Sequence, residues 1–267
     1  MFITFLSDFG LVDDFVGTCH AVIKRIASDA QIIDLTHGIQ PQAVLQGALV
    51  LANTVPYAPP GVHLAIVDPG VGSGRRALAL ESGEGRRFVG PDNGLLLPAA
   101  EQLGGIAKAH EITNPEYALT PVSATFHGRD VFSPAAAHLA LGLPLAKLGP
   151  PIDPEALVRL DVPKPSVSNS RIGATCLYVD RFGNIQLNLS PEHLEEAGIV
   201  PGRRLRLVVA GRPQQAVAAR TFADAEVGGL ILYEDSYRNV SLAVSRGDAA
   251  AALDAAAGTE VEIEVPT

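Results

Sequence analysis

Apolar and polar positions follow one rhythm in the first part of the chain and another in the last. Early on, short continuous apolar runs alternate with patches of helical spacing. FITFL (2–6), QIIDLT (31–36) and VHLAIVD (62–68) are runs bounded by polar or glycine-rich stretches, the pattern of strands buried on both faces. Between them, Phe15, Cys19, Val22, Ile23 and Ile26 fall on one helical face. So do Val44, Leu45, Ala48, Leu49 and Ala52 within 41–55. Asp13 and Asp14 stand where the first helix starts, and its dipole favours negative charge there. RALALES (76–82) and FVG (88–90) read as paired strands. A helix over 94–104, a strand over 108–113 and a helix over 131–142 complete the series. Strand and helix in alternation predict an open, mostly parallel sheet with helices on both faces.

The segment from 143 to 170 is dense in proline and ends in Ser and Asn, the composition of a linker. Beyond it the period becomes two. Ile185, Leu187 and Leu189 alternate with polar residues, and RRLRLVVAG, QQAVAARTF, GLILYED, VSLAV and TEVEIEVP all read as strands. Short helices are expected at 191–198 and in GDAAAALDAA. Read this way, residues 1–155 form an α/β domain, 156–170 a linker and 171–267 a smaller antiparallel β domain, barrel or sandwich.

Composition narrows the function classes. The formal net charge of -9 makes a general nucleic-acid or membrane surface an unfavourable partner. The two cysteines, Cys19 and Cys176, are far apart and form no metal-ligand spacing; they read as buried thiols in a reducing compartment. MFITFLSDFG lacks the basic start and small-residue cleavage site of a signal peptide, and no apolar run reaches the roughly 20 residues of a spanning helix. A cytoplasmic protein is the expectation.

In an open parallel sheet, ligands bind beyond the carboxyl ends of the strands. Here the first strand ends in Ser7 and Asp8. The third ends in Asp68, followed by the glycine loop PGVGSG and two arginines, Arg75 and Arg76. TFHGRD brings His127, Arg129 and Asp130 to the start of a helix. The loop lacks the lysine and hydroxyl residue of a phosphate-binding loop. The DFG of 8–10 stands without the other kinase motifs. Asp8 also suits a turn, and His127 an interior position. The polar turns YVDRFGN (178–184) and YEDSYRN (233–239) lie in the β half. These residues alone predict an acidic-lined crevice for a small ligand, with cationic ligands among the candidates.

SDFG followed by Asp13 and Asp14, VDPGVGSGRR, GPDNGLL, TFHGRD, VDRFGN and TFADAE occur in that order over both halves. In this the chain resembles the family of S-adenosylmethionine-dependent halogenases and hydroxide adenosyltransferases. With that resemblance, the expected fold is an α/β N-terminal domain with a mostly parallel sheet flanked by helices, plus a smaller antiparallel β-barrel-like C-terminal domain. The family's branches differ in the nucleophile that attacks C5' of the substrate. Asp68, Arg75 and His127 match the triad of the hydroxide branch, whereas halogenases have Tyr in place of Asp68 and of His127. Fluorinases also have Ser in place of Gly128 and a long insertion where this chain has ESGEGRR. Gly128 alone leaves chloride transfer open.

The resemblance implies Asp68, Arg75 and His127 as catalytic residues, with either Asp68 or His127 as the base. It implies Asp8 at the ribose hydroxyls, Asp180 at the methionine ammonium and Ser236 at its carboxylate. Phe182, Asn184 and Phe222 fall around the adenine, and Phe126 joins the substrate-binding set. Gln42 stands where fluorinases have Trp, and the adenine segment departs at Val244, Ser245 and Arg246. S-adenosylmethionine is then substrate, not cofactor. No metal and no cofactor is implied, and a homotrimer with sites at subunit interfaces is expected. The competing readings are a chlorinase, a metal-dependent nucleotidase or phosphatase using Asp92, Asn93 and His127, and a non-catalytic adenosine or S-adenosylmethionine sensor.

Overall fold

The computed structural model of the chain describes residues 1–168 and 171–264. By its own contacts the chain divides into two units, Met1–Leu160 and Asp161–Thr267.

The first unit holds a six-stranded sheet. Its strands are β1 (Phe2–Ser7), β2 (Gln31–Thr36), β3 (Gly61–Ile66), β4 (Ala77–Ser82), β5 (Arg87–Pro91) and β6 (Ile106–Glu111), in the order β2-β1-β3-β5-β4-β6. β2, β1, β3 and β5 are parallel neighbours, and β4 is antiparallel to both β5 and β6. The helices are α1 (Phe15–Ile26), α2 (Val44–Thr54), α3 (Leu97–Gln102) and α4 (Ser133–Ala140). The sheet is packed on two sides. One cluster joins Ile3, Phe5, Cys19, Ile23 and Phe132; the other joins Leu6, Leu51, Val67, Phe88 and Leu95. Phe5, Phe88 and Phe132 are fully buried, each worth roughly 1.5–3 kcal/mol of transfer free energy.

β1 lies between β2 and β3, so the chain leaves it to one side and returns on the other. That reversal is a topological switch point, and the carboxyl ends of β1 and β3 emerge side by side there, with Ser7 paired to Ile66. Helices are shorter than the periodicity predicts. α2 begins at Val44 after Pro41 and Gln42, and α3 begins at Leu97, next to Pro98. One turn of π-helix, Gly128–Phe132, precedes α4.

The second unit has β7 (Ser166–Ser168), β8 (Arg171–Val179), β9 (Ile185–Leu187), β10 (Arg204–Val209), β11 (Arg212–Ala219), β12 (Leu230–Glu234), β13 (Val240–Val244) and β14 (Glu260–Glu264). Pairing of β14 with both β10 and β8 closes seven strands into a barrel, with β7 added outside β8. The barrel departs from the antiparallel expectation at one place. β11 and β12 run parallel, joined by the connection through the 3₁₀ turn Phe222–Asp224. Two short helices, α5 (Pro191–Glu196) and α6 (Ala249–Leu253), sit where GDAAAALDAA and PEHLEEAG place them. The proline-dense segment keeps one strand, β7. The last two residues of the expected linker, and Val265 and Pro266 of the expected last strand, lie outside the described residues. Both cysteines are free and buried, and burial pushes each thiol up to about 11.

Candidate active site

Asp68 lies two residues beyond β3, and the loop after it doubles back within seven residues. Val71 N–H donates to the Asp68 carbonyl (3.2 Å) and Ser73 N–H to that of Gly70 (3.1 Å). Ser73 Oγ closes the second turn onto the Gly70 carbonyl at 2.7 Å. Gly72 is required: its φ is +75°, and a Cβ there would sit 2.3 Å from the Ala124 carbonyl oxygen. The loop therefore lies against the segment that leads into His127.

These turns return Arg75 to Asp68. Its Nε donates to Oδ1 and Oδ2 at 2.9 and 3.1 Å, and its Nη2 donates to Oδ2 at 2.5 Å. The same Nη2 lies 2.9 Å from His127 Nδ1. Arg75 thus joins the other two, and its guanidinium also rests over the Phe132 ring, 5.0 Å from the centroid. The Arg75 and Asp68 side chains keep only 11% and 7% of their surface, so the pair is little screened.

This contact fixes the state of His127. A guanidinium is only a donor, so Nδ1 must accept, and the imidazole is neutral with its proton on Nε2. Its surroundings act in the same direction. Burial first, then the Arg75 charge, lower the His127 pKa below 6.5 against the opposing pull of Asp68 and Asp130.

The approach to His127 is held by Asp130, which is buried. Arg129 Nε and Nη2 donate to its two oxygens at 2.6 and 2.9 Å, and Ser123 N–H donates at 2.8 Å. Phe126 packs edge-on against Phe9 and Phe15, with centroids at 5.9 and 5.3 Å, and Arg129 covers its ring. Gly128 sits among these rings. A Cβ there would lie 3.0 Å from Phe9 Cζ and 3.3 Å from Phe126 Cε2. Any side chain at this position needs the neighbouring rings to give way by a few tenths of an ångström.

Asp8 follows β1, and its Oδ2 accepts the backbone N–H of Gln42 at 2.8 Å. Gln42 has φ +66°, so its main chain, not its side chain, is what braces Asp8. No sequence signal could have found that contact, because any residue but proline offers the same donor. Asp92 and Asn93, the metal-ligand candidates, are spent elsewhere. Asp92 pairs with Arg76 and accepts from Val158 N–H, and Asn93 Nδ2 donates to the Val67 carbonyl.

In the second unit, Phe182, Asn184, Phe222 and Arg246 line one cleft of about 480 Å³ together with Val244 and Gly247. Phe182 and Phe222 are 76% and 45% exposed, which leaves aromatic faces open to a ligand. Asp180 shapes this cleft from behind. Its Oδ1 accepts from the N–H groups of Phe182 and Asn184, and its Oδ2 from Asn184 Nδ2. Gly183 has φ +80° and packs so tightly on Asp248 that a Cβ would overlap its carboxylate. Asp235 builds the same turn, accepting from Tyr237 N–H and Asn239 N–H, with Ser236 exposed at its tip. The recurrence of D-x-F/Y-x-N is readable in the sequence and is the signal for this pair of turns. Ser245 is buried at the end of β13, its backbone paired with Gly228 and Gly229. Neither Ser236, Ser245 nor Asp180 lines the cleft.

The sequence profile of the SAM hydroxide adenosyltransferase N-terminal domain matches residues 3–149, and that of the C-terminal domain matches residues 174–262. The chain belongs to the SAM hydroxide adenosyltransferase family. Two members, the (R)-S-adenosyl-L-methionine hydrolases of Salinispora arenicola and Salinispora tropica, are 51% and 48% identical to it. Each alignment spans 98% of this chain and 97% of the relative. The crystal structure of an uncharacterized conserved protein from Thermotoga maritima matches with a TM-score of 0.91 at 38% identity, over 98% of this chain and 99% of that one. Asp68, Arg75, His127 and Asp8 lie in the α/β unit, and the aromatic cleft lies in the barrel. Among the described residues, no helix is long and apolar enough to cross a membrane.

Proposed function

We propose that the chain hydrolyses S-adenosyl-L-methionine, in the (R) configuration at sulfur that its relatives' names specify, to adenosine and L-methionine. The observation that carries this reading is the arginine-bridged set Asp68–Arg75–His127 beside the sheet's switch point, in a member of this family.

The sulfonium makes methionine a neutral leaving group, so the remaining need is a nucleophile placed in line with the C5'–S bond. Water attacks C5', the C5'–S electron pair goes to sulfur, and one proton leaves the attacking oxygen. Orientation of this kind can remove about 7–11 kcal/mol of barrier. Bulk water, with a pKa near 15.7, becomes acidic only as its oxygen bonds to carbon. We assign the proton to Asp68, a carboxylate with lone pairs beyond those that Arg75 occupies. His127, neutral and bonded through Nδ1, presents Nε2–H and orients the water. Arg75 holds both partners and favours developing hydroxide.

Asp8 takes the ribose hydroxyls, and Phe126 borders that end of the site. Phe182, Asn184, Phe222 and Arg246 hold the adenine in the barrel cleft. Asp180 and Ser236 take the methionine ammonium and carboxylate. The family resemblance supports a homotrimer in which the α/β domain of one subunit meets the barrel of the next.

The test is Asp68→Ala. The variant is expected to keep substrate affinity, measured by calorimetry, and to lose turnover by about 10²–10⁴-fold. Turnover equal to the parent's would remove Asp68 from the mechanism.

A further inference from the structure

His20 on α1, Asp34 on β2 and His37, one residue past β2, converge at the edge of the sheet. One ligand atom from each lies within 4.8 Å of the others. His20 Nε2 is 2.9 Å from Asp34 Oδ1, and His37 Nε2 is 3.1 Å from the same oxygen. His20 and Asp34 stay partly exposed, so the cluster is open to solvent, while His37 is only 4% exposed. None of the three belongs to the set around Asp68, and no sequence motif joins them.

The second observation is at His37. Despite its distance from Asp34, His37 Nε2 has no aligned hydrogen-bond partner among the described residues. A polar atom in a side chain this buried that lacks an aligned partner has hydrogen-bonding capacity left for a further group. Its other nitrogen is already placed. Nδ1 lies 2.7 Å from Ser7 Oγ, which leaves Nε2 as the free position facing His20 and Asp34. Metal-bound histidines have this arrangement, one nitrogen on the ion and the other held by a second group.

We propose that His20, Asp34 and His37 bind one divalent transition-metal ion of the zinc class. Two imidazoles and a carboxylate suit such an ion better than calcium or magnesium, which prefer all-oxygen shells. With bonds of about 2.0–2.1 Å, tetrahedral ligands stand about 3.3 Å apart, close to the two spacings above. Water would complete the shell on the exposed side. The ion would brace the end of β1, because His37 also reaches that loop through its carbonyl, which accepts from Gly10 N–H at 2.8 Å. This inference stands apart from the hydrolase reading and has its own readout.

The experiment uses the untagged, chelator-treated full chain. Zinc is titrated against a chromophoric competitor, and cobalt is added in parallel as a spectroscopic probe. The parent is expected to take up one equivalent, to show the intense visible absorption of tetrahedral cobalt, and to melt at a higher temperature with metal. At a free zinc concentration a hundred times Kd, the folded-to-unfolded ratio rises about a hundredfold. His20→Ala, at a partly exposed position on a helix, tests the site without opening the core. It should weaken binding by about a hundredfold or more and abolish the cobalt bands, whereas His110→Ala should leave both unchanged. Asp34→Asn provides a second variant with the same expected loss. No equivalent bound by the parent, or His20→Ala binding as tightly as the parent, would overturn the proposal and leave an ion-pair cluster only.

Discussion

At the scale of single residues, the site is decided by what each polar atom is already doing. Arg75 donates to Asp68 and to His127, and that one fact makes the imidazole an acceptor at Nδ1. Protonation of His127 would place a second cation against Arg75 and break the bridge. Because burial and Arg75 lower its pKa, the neutral form predominates at pH 6.5. With neutral His127 as the working form proposed above, the acid limb of the kcat profile is expected to be centred below pH 6.5. An acid limb centred above 6.5 would contradict this state of His127. Asp68 and His127 were legible as polar residues just past a strand and just before a helix, whereas Arg75, in the loop between β3 and β4, was marked only by the family resemblance. Gln42 and the orphan His37 were not legible, since main-chain donors and long-range clusters leave no local pattern.

At the scale of elements, the loop between β3 and β4 does most of the positioning. Its two turns and its contact with Ala124 set the distance between Arg75 and His127. Gly72→Ala forces a side chain into a left-handed conformation with a carbonyl 2.3 Å away. The expected result is a kcat loss of about 10²-fold, of the order that misplacement by an ångström produces, with the melting temperature lowered by only a few degrees. Kinetics and a melting curve on the same preparation check this, and a variant with unaltered kcat would show that the loop does not position Arg75. The periods of two and 3.6 located the sheet, the helices and most barrel strands. They did not foresee the parallel pairing of β11 with β12, because alternation marks a strand but not its direction. The π turn before α4 was likewise unreadable, since Gly128 and its neighbours fit a helix start equally well.

At the scale of the whole molecule, the chain folds as two units around separate cores. The first carries the arginine-bridged set and the second an open aromatic cleft. The sequence signals a division through its change of period and its proline-dense segment, while the barrel's closure through β14 and β8 depends on pairings far apart in the chain. In hydrolysis by in-line attack, oxygen from water becomes the 5'-hydroxyl of the product. The direct measurement is turnover of the (R)-epimer in ¹⁸O-labelled water with chloride present, followed by mass spectrometry of the nucleoside. Attack by water yields adenosine carrying one ¹⁸O at the 5' position and unlabelled methionine. Unlabelled adenosine, or a 5'-chloro nucleoside, would contradict it.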